Sequence, residues 1–228
     1  IPAIVVVGID HAGKMRTNEY LPVPPGSWDG FRDDMLDAPG GGVDAYLECV
    51  INELMPWAEQ HFGLSSQASH RYFGGSSFGG ICALYMAMQY PRHWAGVFSE
   101  SPSFWAGSGR YMADVKGHEG KEWPERMFVA MGELEYTGFR GTSKPGSFEC
   151  DEVLRASCSE CAGHLKAQGL GSDRLHWYIE PGGRHNERDW GRRLPGVLRW
   201  LLSEDSASAG PGEGSPAPAF WTRPSPVQ

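Results

Sequence analysis

The sequence predicts an α/β protein, a mostly parallel sheet with helices on both faces, and three observations carry that prediction. Short β-branched or aromatic runs alternate with longer stretches of helical periodicity. Ala3 to Ile9 is almost continuous in branched residues, as expected of a strand buried on both faces in a parallel sheet. Gly74-Gly75-Ser76-Ser77-Phe78-Gly79-Gly80 stands between a strand-like pair, Tyr72 and Phe73, and a helical repeat, giving the order strand, tight turn, helix.

Element by element, a strand is predicted over Ala3 to Ile9, then a long loop over residues 10–42. Prolines at 22, 24, 25 and 39 and the glycine run 40–42 keep that loop irregular, and its length suggests a functional surface. From Val43 to Phe62, Leu47, Val50, Ile51, Leu54 and Ala58 recur at helical spacing, so the reading is an amphipathic helix bent or broken at Pro56. Tyr72 and Phe73 enter the glycine-rich turn. Ile81, Leu84, Tyr85 and Met88 then mark a helix that ends before Pro91. Strands are expected at 96–99 and 127–131, and a helix over about 149–168, closed by Gly169 and Gly171. A last strand, Leu175 to Ile179, precedes a loop, Pro181-Gly182-Gly183-Arg184, and a closing helix from Arg188 to Leu202 interrupted at Pro195. Residues 1–202 form the predicted domain; 203–228, rich in Pro, Ser, Ala and Gly, read as a disordered tail.

Composition narrows the function. With 228 residues, 40% of them hydrophobic, the chain suffices for one core. A formal net charge of −8 favours neither a nucleic-acid backbone nor an anionic membrane surface, which leaves small neutral substrates. The longest apolar run, Ile4 to Val7, is far below the roughly 20 residues that span a bilayer. Five cysteines, an odd and sparse set, point to a reducing, cytoplasmic setting. The first residue is Ile1, and a segment upstream of it is expected.

Gly75-Ser76-Ser77-Phe78-Gly79 fits G-x-S-x-G, in which a strained turn lifts a serine hydroxyl above the sheet's carboxyl edge. The flanking glycines are expected because a Cβ there would collide with strand and helix. A serine hydroxyl needs a base held by a carboxylate, and in such folds the order along the chain is Ser, acid, His. His185, just past the last strand, is the candidate base among eight histidines. The acid should follow the strand at 127–131: Glu135 is the choice, Glu133 the reserve. The Phe78 backbone N–H, at a helix start, is the candidate oxyanion donor. Cys158, Cys161 and His164 have metal-like spacing, but no second pair lies nearby and the segment reads as helix. No metal and no cofactor are expected.

GGSSFGG, SESPSFWA at Ser99 to Ala106, MGELEY at Met131 to Tyr136 and PGGRHNERDWGRRLPGVLRWL at Pro181 to Leu201, in that order, resemble the esterase D and enterochelin-esterase-like group of α/β-hydrolases. IVVVGIDHAGKMRTNEYLP resembles the stretch preceding that family's nucleophile. The resemblance implies ester hydrolysis by a triad mapped onto Ser77, Glu135 and His185, with acyl transfer by the same residues, or a non-catalytic scaffold, as alternatives. It also implies a sheet lacking its amino-terminal strands and an oxyanion loop, which in that family lie upstream of Ala3. Trp105 fits an aromatic pocket position, with Ala106 where the family carries a second Trp. Arg16, with Glu19 three residues on, resembles a pair at the pocket mouth suited to an anionic or phenolic substrate, or a salt bridge tying down the loop. The substrate and the oligomeric state are not readable.

Overall fold

The computed structural model describes residues 2–23, 40–107, 109–140 and 147–203. A short helix α1 (Arg16–Tyr20) opens the regular structure, followed by α2 (Val43–Cys49), a π-helical turn (Val50–Leu54) and α3 (Met55–Phe62). The expected break at Pro56 is absent: residues 43–62 wind on without interruption, and the π turn just before the proline, in which the Met55 N–H donates to the Val50 carbonyl five residues back, accommodates it. Then follow β1 (Tyr72–Ser76), α4 (Phe78–Gln89), β2 (Gly96–Glu100), α5 (Arg110–Lys116), β3 (Arg126–Leu134), α6 (Glu135–Arg140), α7 (Ser147–Ala167), β4 (Leu175–Arg184) and α8 (Glu187–Leu201). Pro195 lies inside α8 without ending it.

The four strands are parallel in the order β1-β2-β3-β4. Their alternation splits the core in two. Met127, Val129 and Met131 face a large cluster with Val43 and Leu47 of α2, Ile81, Cys82 and Leu84 of α4, and Leu154, Cys158 and Leu165 of α7. Phe128 and Ala130 face the opposite way, with Tyr178, onto Val197, Trp200 and Leu201 of α8. Helices therefore cover both faces, as the near-continuous apolar strands require.

Two expectations need correction. Ala3–Ile9 is not a strand: residues 2–9 carry no regular structure, and Val5 and Val6 are 58% and 78% exposed. β-branched residues favour a strand only where a neighbour completes the ladder, and among the described residues none does. The loop predicted at 181–184 is instead the end of β4, in which Arg184 pairs with Leu134 across a register shift. Gly132 and Gly183 approach so closely that a Cβ on Gly132 would lie 2.5 Å from the Gly183 carbonyl, and this lets β3 and β4 stay together up to the residue before His185. The expected loop at 10–42 also contains α1, and residues 24–39 lie outside the described residues, as do 204–228 of the expected tail.

Candidate active site

Ser77 sits between β1 and α4 at φ 61, ψ −123, a backbone conformation that side chains rarely adopt. Its surroundings over-determine it. The Ser77 N–H donates to the Glu100 carbonyl at 3.0 Å, and its own carbonyl accepts from the N–H groups of Gly80 (3.0 Å), Ile81 (3.3 Å) and Ser103 (3.3 Å). The glycines divide differently from expectation. A Cβ on Gly75 would lie 2.5 Å from the Gly79 carbonyl oxygen, and one on Gly80 would press on Glu100, Ser99 and Pro102 at 3.0–3.1 Å. One on Gly79 would meet nothing within 4 Å, so the collision expected there is absent. α4 lies with its first turn against the end of β2, and the tight position is therefore Gly80 and not Gly79.

His185 follows β4 directly and is pinned by the start of α8. Asn186 caps the helix by accepting the Asp189 N–H at 3.0 Å, and the Asp189 carboxylate reaches back to accept the Arg184 N–H at 2.7 Å. Held from both sides, the imidazole places Nε2 2.9 Å from Ser77 Oγ and Nδ1 2.5 Å from Glu135 Oε2. Ser103 Oγ lies 3.3 Å from Ser77 Oγ. Of the two candidate acids, Glu135 is the one beside His185, buried at the start of α6. Glu133 is exposed and accepts the Gly182 N–H at 2.7 Å. The other Glu135 oxygen accepts from Gly132 N–H (2.5 Å) and Ser101 Oγ (2.7 Å). α6 itself is clamped by buried Asp151 of α7, which accepts from the N–H groups of Tyr136 and Thr137 and from the Thr137 hydroxyl.

The Phe78 N–H opens α4, one of the first N–H groups that a helix leaves without an intrahelical acceptor. Arg16 lies over the Phe78 ring at 5.1 Å and over Tyr20 at 5.5 Å, and burial lowers its pKa. Glu19 turns away to accept the Ala12 N–H, so the structure brings Arg16 to Phe78, the residue after Ser77, and not to Glu19. Trp105 packs on Phe78 at 5.7 Å between ring centres, half-buried, whereas Ala106 is wholly buried in the core and lines no accessible surface. Cys158 and Cys161 are core residues whose thiols burial pushes up, Cys161 to about 12. Among the described residues no three His, Cys, Asp or Glu side chains group as a metal set, and no helix is long and apolar enough to cross a membrane.

The sequence reading missed a layer beneath Glu135: Ser101, at φ 44, with Glu100, Glu180, Trp190 and Arg193. Its signal was Arg193 falling on the buried stripe of α8 with Asp189, Val197 and Trp200.

The Esterase family model, described as "Putative esterase", matches residues 1–201. The chain is similar to YbbA, an uncharacterized protein of Bacillus subtilis (strain 168), 23% identical over 208 residues that cover 91% of this chain and 77% of that protein. It is also similar to an iron(III) enterobactin esterase of Dickeya dadantii (strain 3937), 24% identical over 180 residues, 72% of this chain and 37% of that one. Among solved structures, the siderophore hydrolases EstA and EstB of Aspergillus nidulans superpose with a TM-score of 0.63 at 20% identity. The match covers 82% and 90% of this chain and 66% and 69% of theirs. At that identity the likeness bears on the fold alone. The chain thus belongs to the Esterase family, and its fold is that of an enterochelin-esterase-like α/β-hydrolase.

Proposed function

We propose that the chain cleaves small acyl esters through an acyl-enzyme on Ser77, with His185 as general base and acid and Glu135 orienting it. The observation that carries this reading is the position of one imidazole, 2.9 Å from the Ser77 hydroxyl and 2.5 Å from a buried carboxylate. His185 Nε2 takes the hydroxyl proton as Oγ bonds to the ester carbonyl carbon, and it returns that proton to the leaving alcohol as the carbon–oxygen bond breaks. Water then repeats the two transfers and frees the acid. Glu135 stabilises the imidazolium formed between them, and the Phe78 N–H donates to the developing oxyanion.

The half-buried Arg16 guanidinium above Phe78 supports an ester bearing an anionic or phenolic group. The names of two similar proteins, an enterobactin esterase and a siderophore hydrolase, suggest that siderophore-type esters be assayed first. The test is fluorophosphonate labelling of the chain beside Ser77→Ala and His185→Ala, with turnover of p-nitrophenyl acetate and capture of the acyl group by an added alcohol. Labelling lost in Ser77→Ala, with turnover lost in both variants, is expected. A folded wild-type chain that neither labels nor turns over would refute the reading.

A further inference from the structure

The proposed reaction uses one face of Glu135. The other face meets a buried set of donors, and we propose that Trp190 and Arg193 of α8, acting through the Ser101 hydroxyl, are positioning residues that fix the direction of the whole catalytic hydrogen-bond chain. The inference rests on Ser77, His185 and Glu135 acting as the triad.

Ser101 Oγ lies 2.7 Å from Glu135 Oε1, 2.9 Å from Trp190 Nε1 and 3.1 Å from Arg193 Nη2. A serine hydroxyl has one proton and two lone pairs, whereas an indole N–H and a guanidinium N–H only donate. Trp190 and Arg193 therefore occupy both lone pairs, and the Ser101 proton goes to Glu135 Oε1. That oxygen also receives the Gly132 N–H at 2.5 Å, so with two donors it is held as an acceptor. Oε2 then accepts from His185 Nδ1, the ring proton sits on Nδ1, and the Nε2 lone pair faces the Ser77 O–H. Turning the Ser101 proton away from Glu135 would set it against the Trp190 or Arg193 donor, and moving the ring proton to Nε2 would leave the Nδ1 lone pair facing the Glu135 carboxylate, acceptor against acceptor; the chain of bonds begins at an arginine that has no acceptor to offer.

Arg193 cannot turn away. It is 1% exposed, its Nε donates to Glu100 Oε2 at 2.6 Å and its Nη1 to Glu180 Oε2 at 2.8 Å. Ser101 is equally buried, so water does not replace a missing partner. Trp190 also meets the His185 ring edge-on, with centres 5.0 Å apart and planes at 84°. The helix that starts two residues after the base thus supports both the base and its acid.

The test uses the full chain with Ser101→Ala, Ser101→Gly, Trp190→Phe and the double variant Ser101→Ala/Trp190→Phe. Gly accepts the left-handed backbone at 101, so a loss shared by Ala and Gly belongs to the hydroxyl and not to strain. Phe keeps an aromatic ring on the side of His185 and removes the N–H donor together with part of the indole's volume. Thermal midpoints and far-UV circular dichroism verify folding. With wild type labelled at Ser77, both Ser101 variants should lower kcat for p-nitrophenyl acetate about 10- to 100-fold, the cost of a misplaced catalytic group, with KM within about twofold. Trp190→Phe should lose less, and the double variant no more than Ser101→Ala alone, because the two act through one atom. A folded Ser101→Gly with wild-type kcat, or losses that multiply in the double variant, would overturn the inference while leaving the triad standing. Absence of wild-type labelling would remove the triad, and the inference with it.

Discussion

Replacing Glu100 with Gln should change the pH profile of stability more than its height at any one pH. Glu100 is 2% exposed at the end of β2. Burial pushes its carboxyl from the ordinary 4.5 up to about 7, against the downward pull of Arg193 and with a further upward push from Glu135 and Glu180. The folded chain therefore holds this proton more tightly than the unfolded one. Stability from Glu100 is present in full below pH 4.5 and is lost as the pH rises to about 7. At about 1.4 kcal/mol per pH unit, that loss amounts to about 3 kcal/mol. His176 titrates with the opposite sign: burial lowers its imidazole from 6.5 to about 4. Its stability is present above pH 6.5 and lost as the pH falls to about 4, again by about 3 kcal/mol. Between pH 4.5 and 6.5 the two slopes oppose each other in the wild type. Glu100→Gln removes one of them, so across that window the variant should gain about 2–3 kcal/mol relative to wild type. Urea unfolding followed by tryptophan fluorescence, at half-unit steps from pH 4 to 7.5, reads the difference, and groups common to both proteins cancel. Parallel profiles would show that the Glu100 carboxyl is not raised.

Three further outcomes are expected. Asp151→Ala, which leaves the start of α6 without its acceptor, should cost about 2–4 kcal/mol in urea unfolding, with Asp151→Asn in between; a cost below about 1 kcal/mol would deny the clamp. Gly79→Ala should keep fluorophosphonate labelling and gain up to about 1 kcal/mol of helix stability, whereas Gly75→Ala, its Cβ set against the Gly79 carbonyl, should abolish labelling. Arg16→Gln should raise KM about tenfold for esters carrying a phenolate or carboxylate and leave p-nitrophenyl acetate nearly unchanged; an equal change for both would place Arg16 outside the substrate site.

The parts of this molecule legible in its sequence are those set by near neighbours along the chain. Tyr72 to Met88 gives strand, turn and helix because glycines and periodicity sit within one stretch, and His185 stands out because a strand and glycines precede it. Glu135 and Glu133 could be ranked only by position; the fold separates them by burying one beside His185 and turning the other to Gly182. Ala3–Ile9 misleads because a branched run states what a strand would need, not whether a partner is there to pair with it. Gly79 misleads because the motif treats both flanking glycines alike, while the close contact with β2 falls one residue later. Ser101 and Arg193 are 92 positions apart in the chain, and no local pattern relates them.

Arg193 also separates stability from catalysis. Replacing a buried ionic set by apolar residues is commonly neutral or stabilising by about 1–4 kcal/mol, while deleting one member costs about 3–5 kcal/mol because the others are left buried and unpaired. At pH 8 and above, where the Glu100 carboxyl is ionised, Arg193→Met should therefore destabilise the chain by up to about that larger amount, since Glu100 loses its guanidinium partner. Adding Glu100→Leu removes the stranded carboxylate, and Glu180 keeps Arg192 at 2.7 and 3.0 Å, so most of the lost stability should return. Activity should not return with it, because neither change gives Ser101 back the donor that turns its proton toward Glu135. If kcat recovers along with the unfolding midpoint in Arg193→Met/Glu100→Leu, the guanidinium serves folding alone; if only the midpoint recovers, the buried charge is retained for the direction it imposes on the hydrogen bonds that end at Ser77.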